Sequence, residues 1–456
     1  MRLASLLGPN LDESLLGSPA ELAELLEEVH AADLSELIAE LEDAPAIKLI
    51  SNLPREAVAE ALDFMEHGRR AELFELLDRA VAAELSDLMS ADERVDLLQE
   101  LEPDVRADIL SRMDKEERQD VRDLINYPES SAGGLMTTEY VALSPELTVE
   151  RAIEQVRRTA EEKETIYEAY AVDPNGTLVG VISLRQLLLA PASRKLADLM
   201  EPEVVSVPAE MDQEEVAHIF QRYDLLALPV VDSTHKLLGI VTVDDVVHVL
   251  KEEQAEDIQK LGAVSPTEGA YFDISFWTYL RSRAVWLVVL FIGQSFTVSV
   301  LKHYGTVTAA VAAITFFIPL IISSGGNTGN QAAALVIRGM ALGEFEFGDA
   351  GRILWREMRM GLALGGILGV LGMIMAAFIG SHEGFRFALA VGTALVACVT
   401  LGSFVGAGMP LLIRRLGLDP AVASGPFIAS LLDVMGIFIY VETCVTMMRL
   451  GQHLVP

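Results

Sequence analysis

The sequence is poor in cysteine and in positive charge, and each shortage excludes a class of protein. Only two cysteines occur in 456 residues, Cys398 and Cys444, and both stand inside apolar runs. Such a pair supports neither a disulfide framework nor a metal site built from thiolates. The formal net charge is -33. A polyanion of this size repels the phosphates of nucleic acid, so we expect no nucleic-acid partner.

Two further signals are missing from the sequence. No nucleophile, base and orienting group form a recognisable catalytic set, and there is no Walker-type phosphate loop, so no enzymatic activity is expected. The first residues also lack a basic stretch followed by an apolar one. This predicts that the long N-terminal region stays in the cytosol, where it is made.

Negative charge is confined to one half of the chain. Counting Asp and Glu against Lys and Arg, residues 1–273 carry about -36 and residues 274–456 about +3. The sequence implies no basic partner. Metal cations are therefore the first candidates as counter-ions of the acidic half.

The second half contains five long apolar runs, at 284–301, 306–337, 360–380, 387–413 and 426–448. They are free of charged side chains apart from Asp433 and Glu442 in the last run. Each is close to or longer than the roughly 20 residues that a helix needs to cross a bilayer, so we expect five membrane helices surrounded by lipid. If the N-terminal region is cytosolic, five spans place most arginines near the runs on the cytosolic side, as the positive-inside rule expects. The expected location is the inner (plasma) membrane.

Residues from about 20 to 126 show apolar residues at helical spacing, interrupted by proline or by Ser and Asp caps. The units recur every 13 to 18 residues, roughly, which predicts an all-α helical-repeat domain. This domain is either a scaffold with a solvated acidic face or a direct sensor, and the sequence leaves both open.

Residues between about 131 and 250 alternate strands and helices, and the pattern occurs twice. The copies begin with "LMTTEYVALSPELTVERAIEQV" and "LMEPEVVSVPAEMDQEEVAHIF". Each continues through an Asp turn, at Asp173 or Asp232, to a glycine, a strand and a helix. The duplication resembles a tandem pair of CBS domains, an α/β module that senses ligands.

Some CBS pairs bind adenine nucleotides through a Gly-x-x-Ser/Thr-x-x-Asp segment. The second copy has Gly239, Thr242 and Asp245, whereas the first copy has Gln186 in place of the Asp. The resemblance therefore implies a possible ATP site at Thr242 and Asp245. The alternative is that these residues only form the turn of the fold.

A helix from Asp244 to about Leu261 is predicted to connect the CBS pair to the membrane domain. Glu253, Glu256 and Asp257 lie three and four residues apart on it, so they share one face. Like charges on adjacent turns destabilise a helix, and a bound cation would remove that cost.

The segment "PLIISSGGNTGNQAA" ends the second apolar run. Its Pro319 and paired glycines predict a broken helix at 325–330, with backbone carbonyls free to line a pore. In the last run, Asp433 stands about two turns inside the helix. An intramembrane carboxylate indicates a functional site, unless it is protonated and bonded to a neighbouring helix. Glu442 lies on the opposite face and is expected to be an interfacial or helix-partner residue.

Taken together, "GGNTGNQ", "SGPF" followed by Asp433, the five spans, the CBS pair and the acidic N-terminal helices resemble the MgtE family of magnesium channels. The resemblance implies a homodimer whose pore lies between the chains and a hydrated Mg²⁺ held by Asp433. It also implies that Asn330 and the carbonyls of Gly326 and Ala429 line the ion site. Independently, a two-fold axis along the pore would put two carboxylates on one divalent ion, which balances its charge.

The family resemblance also implies that cytosolic Mg²⁺ closes the pore by binding between the N-terminal domain, the CBS pair and the connecting helix. The ligands that it implies are Asp212, Glu214, Asp224, Asp245, Glu253, Glu256 and Asp257, with Asp92 and Asp96 on a solenoid helix as further candidates. His248 stands where an acidic residue is expected, which puts one of these sensor sites in doubt.

The sequence thus predicts a multidomain chain with four parts: an acidic helical-repeat domain at 1–130, tandem CBS domains at 131–250, a connecting helix at 251–275 and a five-helix membrane domain at 276–456. Two other functions compete with a Mg²⁺ channel. One is a divalent-cation transporter coupled to a Na⁺ or H⁺ gradient, and the other is a CBS-regulated membrane scaffold without transport.

Overall fold

The computed structural model describes residues 29–160, 163–267, 269, 271–272, 274–345, 347–379, 382–423 and 425–448. The first part of the predicted helical region, residues 20–28, lies outside this set. The chain forms two compact units, residues 1–253 and 254–456. Each unit is described below by itself.

Short helices follow one another through the first part of the described chain. They are Ala31–Glu40, Asp43–Asn52, Arg55–Asp63, His67–Leu76, Arg79–Leu88, Ala91–Glu100, Pro103–Arg112 and Lys115–Leu124. Successive helices begin 12 residues apart, so the expected interval of 13 to 18 residues was wrong. The interval is shorter because only two or three residues separate one helix from the next.

An apolar residue directly after each helix marks the 12-residue period. Leu53, Leu77, Met89, Leu101 and Met113 all adopt extended or near-extended backbone and donate their N–H to the carbonyl four residues earlier. Their side chains are buried, so each chain reversal is fixed by hydrophobic burial as well as by the hydrogen bond. Each helix packs against the next but one, which gives a repeat of two helices.

The tandem repeat forms two small sheets of the same topology. In the first, β1 (Val141–Leu143) pairs in parallel with β2 (Glu168–Val172), which pairs antiparallel with β3 (Leu178–Ser183). In the second, β4 (Val207–Pro208), β5 (Ala227–Val231) and β6 (Leu237–Thr242) repeat this order. The helices Val149–Thr159, Leu184–Leu189 and Gln213–Tyr223 accompany the strands. The predicted α/β duplication is confirmed.

The connecting helix runs from Val243 to Leu261. The described residues from 262 to 274 form turns and non-helical segments. The helix therefore ends well before residue 275.

Five helices in the second unit are long and apolar enough to cross a membrane, as predicted. We call them the first to fifth membrane helices: Phe276–His303, Ala312–Ala341, Ala350–Ile379, Gly384–Arg415 and Gly425–Met448. A short helix, Gly305–Ala310, lies between the first and the second.

The predicted helix break at 325–330 is wrong, because the second membrane helix continues through both Pro319 and this segment. In a bilayer no water competes for the backbone groups, so a glycine-rich segment keeps its intrahelical hydrogen bonds. The glycines serve helix packing instead. A Cβ added to Gly406 of the fourth membrane helix would lie 2.1 Å from the carbonyl oxygen of Gly329, and one added to Gly402 would lie 2.4 Å from that of Gly325.

The two backbones thus touch through glycines spaced four residues apart on both helices. This is the small-residue contact that lets membrane helices approach closely. It fixes the position of the second membrane helix beside the fourth.

We expect Gly406→Ala to destabilise the membrane domain, by about 1–3 kcal/mol, because its methyl group has no room beside the Gly329 carbonyl. Gly366→Ala is the matched control, since a Cβ at Gly366 of the third membrane helix meets no atom within 4 Å. The melting temperature of the detergent-solubilised protein measures the effect. Equal melting temperatures for the two variants would contradict the close contact.

Candidate functional site

The second and fifth membrane helices face each other along a row of small residues. A Cβ added to Gly326 would lie 3.6 Å from that of Ala429, and one added to Gly425 would lie 3.4 Å from the Asn330 side chain. Asp433 is one turn beyond Ala429 on the same face of the fifth helix. We call Gly326, Asn330, Ala429 and Asp433 the membrane row. The structure therefore aligns these four predicted residues, with Asp433 one turn beyond the contact between Gly326 and Ala429.

Asn330 carries an unsatisfied polar atom. Its Oδ1 is buried and has no hydrogen-bond partner among the described residues. A buried acceptor left unpaired costs about 1–3 kcal/mol. An amide oxygen in this state is suited to receive a hydrogen bond from a water ligand of a cation, or to bind a cation directly.

Asp433 is held by an amide and not by a positive charge. Its Oδ2 accepts a hydrogen bond of 2.9 Å from Nε2 of Gln294 on the first membrane helix. Within the described residues, no ion pair with Lys or Arg neutralises the carboxylate. Sequence reasoning missed Gln294, although it is the only amide side chain in the apolar run 284–301.

Asn330 and Asp433 do not form one coordination shell within the chain. Asn330 contacts Gly425, which precedes Asp433 by two helical turns, or about 12 Å along the axis. Direct Mg²⁺ ligands lie about 2.1 Å from the ion. The membrane row therefore offers successive oxygen contacts along a path.

Glu442 has a structural partner, as expected for a helix-partner residue. Its Oε1 accepts a hydrogen bond of 2.5 Å from the hydroxyl of Tyr304, which follows the first membrane helix. The side chain of Tyr304 is buried. This carboxylate ties the first and fifth membrane helices together.

The second candidate site is a group of carboxylates around the helix Ala91–Glu100, which we call the acidic cluster. Burial raises the pKa of Asp96 to about 8, and Glu93 and Asp92 add to the shift. Burial and then Glu93 likewise raise the pKa of Asp92 to about 6 and that of Asp63 to about 8. The common cause is crowding of buried negative charge.

Residues of the CBS pair belong to the same cluster. Burial raises the pKa of Glu139 and of Glu164 to about 7. The pKa of Asp245 is also raised by burial. The charge of Asp92 is the second cause of the increase for both Asp245 and Glu164. The predicted ligands Asp92, Asp96 and Asp245 therefore lie in one electrostatic environment, and Glu139 and Glu164 are members that sequence reasoning missed.

The acidic cluster contains atoms placed for a cation. Oδ1 of Asp63 and Oδ1 of Asp92 are buried without a hydrogen-bond partner among the described residues. Ligand atoms of His67, Glu93 and Asp96 lie within 4.8 Å of one another. Glu93 also pairs with the buried guanidinium of Arg70, which offsets part of the negative charge. Sequence reasoning missed His67, because it lies 26 residues before Glu93.

Other predicted ligands lie apart from the acidic cluster. Asp212 and Asp224 cap opposite ends of the helix Gln213–Tyr223, about 18 Å apart along its axis. Oδ1 of Asp212 accepts a hydrogen bond from the N–H of Glu214, and Glu214 lies 3.8 Å from Nε2 of His218. Within the described chain these three carboxylates do not converge on one ion.

The acidic residues of the connecting helix already have partners. Glu253 accepts a hydrogen bond of 2.6 Å from Gln213. Glu256 forms an ion pair of 2.6 Å with Lys260, whose ammonium also lies 2.6 Å from Asp419, shortly before the fifth membrane helix. A cation at Glu256 would have to compete with this ammonium.

The surroundings of Thr242 and Asp245 do not favour a nucleotide. The Thr242 hydroxyl donates a 2.6 Å hydrogen bond to Asp245, and Asp92 and Asp244 act on the same carboxyl, so a phosphate would meet negative charge. The first repeat instead offers an open groove of about 640 Å³. It is lined by Tyr167, Glu168, Ser183, Leu184, Arg185, Leu188, Leu189 and Leu226.

Five membrane helices with an internal carboxylate, on one chain with a duplicated ligand-sensing module, define a membrane transport protein with a regulatory region. Sequence profiles agree with this class. Residues 318–443 match MgtE, described as a divalent cation transporter, and residues 29–130 match the MgtE intracellular N domain. Residues 132–193 and 196–252 match the CBS domain.

Curated relatives give the family. The chain is 43% identical over 322 residues to the magnesium transporter MgtE of Thermus thermophilus, covering 71% of each protein. It is 36% identical to the protein of the same name from Enterococcus faecalis, covering 72% of each. The chain belongs to the MgtE family of magnesium transporters, which are not enzymes.

Two solved structures resemble the N-terminal part of the chain. One is the cytosolic domain of the Mg²⁺ channel MgtE in complex with ATP, 40% identical with a TM-score of 0.51, covering 54% of this chain and 100% of that one. The other is the soluble part of a magnesium transporter, 33% identical with a TM-score of 0.51, covering 55% and 98%.

The raised pKa values of the acidic cluster predict how its stability depends on pH. Asp63 and Asp96 keep their protons up to about pH 8 in the folded state but lose them near pH 4 when unfolded. Their contribution to stability is therefore complete below about pH 4 and is lost as the pH rises through 8. Without divalent cations, we therefore expect protease to begin cleaving the cytosolic region at a lower temperature at pH 8.5 than at pH 6.

In the same assay at pH 8.5, Asp96→Asn should raise the temperature at which cleavage begins by about 2–5 °C, because the amide cannot ionise. Asp104→Asn, a change at an exposed carboxylate on the next helix, should leave it unchanged. A wild-type protein that becomes more resistant as the pH rises would refute the sign of this dependence.

Proposed function

We propose that this protein is a Mg²⁺-selective channel whose ion path follows the membrane row. The observation that carries the proposal is the pair of oxygen sites within the membrane: the unpaired Oδ1 of Asn330 and the carboxylate of Asp433, which is held by a neutral amide. A negative side chain in a low-dielectric medium costs several kcal/mol unless it meets a cation or an aqueous path. Oxygen ligands suit Mg²⁺.

The pore lies between the two chains of a homodimer. One Asp433 cannot neutralise a divalent ion, whereas a two-fold axis places a second Asp433 opposite the first. The membrane row contains no other carboxylate. The protein resides in the inner (plasma) membrane in contact with lipid, and residues 1–253 lie in the cytosol.

We expect Asp433→Asn to reduce Mg²⁺ uptake by at least tenfold, because the ion loses its negative ligand. Glu442→Gln is the matched control: it also neutralises a carboxylate of the fifth membrane helix but keeps the acceptor for Tyr304. Uptake is measured in Mg²⁺-starved cells at equal amounts of protein in the membrane. Unchanged uptake with Asp433→Ala would favour a scaffold, and flux that needs a Na⁺ or H⁺ gradient would favour a coupled transporter.

We further propose that the acidic cluster senses cytosolic Mg²⁺ and closes the pore when Mg²⁺ is abundant. Support comes from its buried carboxylates with raised pKa and from the unpaired oxygens of Asp63 and Asp92. Without a cation, repulsion among the ionised members of the cluster, such as Asp92, and the burial of their charge oppose the compact form. A bound cation removes the repulsion and shifts the population towards that form. Asp92, Asp96 and Asp245 are its central ligands.

The remaining predicted ligands are assigned a supporting role. Glu253 and Glu256 are bonded to Gln213 and Lys260, and Mg²⁺ dehydrates reluctantly. Water-mediated contact with the ion is therefore the role that fits them. The same role is proposed for Asp212, Glu214, Asp224 and Asp257, at more than one bound ion, because Asp212 and Asp224 lie about 18 Å apart along their helix.

Mg²⁺ at millimolar concentration should protect residues 250–275 from protease. Replacing Asp92 and Asp96 by Asn should raise the Mg²⁺ concentration for half-protection by about tenfold or more, because two central ligands are lost. Replacing Glu253, Glu256 and Asp257 by their amides should raise it less. Equal cleavage with and without Mg²⁺ would refute the proposed sensor. A larger increase in the half-protection concentration for the connecting-helix variant would show that the main Mg²⁺ site lies on that helix.

A nucleotide is a second candidate ligand of the cytosolic region. The groove of the first repeat favours it, because Arg185 offers a cation for phosphate and Tyr167 an aromatic ring. A solved relative of this region is a complex with ATP. We propose ATP binding at this groove in preference to Thr242 and Asp245.

A further inference from the structure

The first membrane helix contributes one polar side chain to the membrane row. Gln294 is exposed in the single chain, and the helix that carries it, Phe276–His303, presents mostly exposed apolar residues. Its Nε2 nevertheless donates a 2.9 Å hydrogen bond to Oδ2 of Asp433, 139 residues away in the sequence. An amide in this position is not explained by packing of the helix.

The chemistry of this contact differs from that of an ion pair. The amide of Gln294 carries no charge, so the hydrogen bond orients the carboxylate and leaves its full negative charge available to a cation. Lysine or arginine in the same place would neutralise it. The bond also occupies only one of the two carboxylate oxygens, since no other described residue donates a hydrogen bond to Asp433.

We propose that Gln294 is a positioning residue for ion binding: it fixes the rotamer of Asp433 so that Oδ1 remains directed at the ion path. This inference rests on the proposed role of Asp433 as the ion ligand. A carboxylate held in one geometry favours a small ion with strict octahedral demands, whereas a mobile one also accommodates Ca²⁺, whose coordination is flexible. Gln294 therefore contributes to selectivity as well as to affinity.

The test compares Gln294→Met with Ser295→Ala. Methionine has a similar length and suits lipid but donates no hydrogen bond, while Ser295 is the adjacent exposed polar residue and bonds only to Phe291 of its own helix. Uptake of Mg²⁺ and of Ca²⁺ by the full-length protein in liposomes gives KM, maximal rate and the preference between the two ions. The melting temperature in detergent is measured in parallel.

With Gln294→Met we expect a rise in the KM for Mg²⁺ of roughly 3- to 10-fold, since a hydrogen bond to a charged group is lost. The preference for Mg²⁺ over Ca²⁺ should fall by a similar factor, with little change in melting temperature. Gln294→Asn, whose shorter amide cannot reach Asp433 without a shift of the helix, should resemble Gln294→Met. Ser295→Ala should match the wild type.

The outcomes separate this inference from the proposed function. If Asp433→Asn abolishes uptake while Gln294→Met keeps the wild-type KM and ion preference, Gln294 is not a positioning residue and the ion site stands. A lower melting temperature and lower maximal rate with unchanged KM and preference would assign Gln294 a purely structural role and overturn the inference. If Asp433→Asn leaves uptake intact, the proposed function and the inference both fail.

Discussion

The carboxylate of Asp433, which no positive side chain among the described residues neutralises, is the constraint on which the proposed function of this protein depends. Elsewhere, positive side chains with little exposure to solvent pair with carboxylates: Arg70 with Glu93, Arg94 with Glu117 and Lys260 with Asp419. Asp433 is treated differently, because its described partner is the neutral amide of Gln294. The charge left uncompensated is what a passing divalent cation can neutralise.

The acidic cluster is a second place, outside the membrane helices, where a cation can neutralise buried negative charge. Near pH 7 two of its carboxyls, Asp63 and Asp96, hold protons in the absence of metal, because their pKa lies at about 8. A cation must displace these protons in order to bind, which weakens the apparent affinity and makes it depend on pH. Weak binding fits the proposed sensor, since a sensor of cytosolic Mg²⁺ must release the ion when its concentration falls.

Sequence reasoning predicted features whose signal is local. Apolar length predicted the five membrane helices, and internal duplication predicted the CBS pair. A carboxylate deep in an apolar run made Asp433 a candidate ion ligand. Features that depend on distant residues were missed. Gln294 becomes a candidate only because it contacts Asp433. His67 and Glu164 become candidates only because they lie near carboxylates of the helix Ala91–Glu100. The 12-residue period was missed because the buried residue that follows a helix is leucine in some repeats and methionine in others.

The error at residues 325–330 changes how ion selectivity is to be understood. A broken helix would present free carbonyls, which could strip water from an ion as a potassium-channel filter does. In the continuous helix the carbonyl of Gly326 is already engaged in a backbone hydrogen bond and has only its second lone pair to offer. Such an oxygen is a poor substitute for a water ligand but a good acceptor from one. The membrane row therefore suits an ion that keeps its hydration shell, and among common divalent cations Mg²⁺ gives up its water most reluctantly.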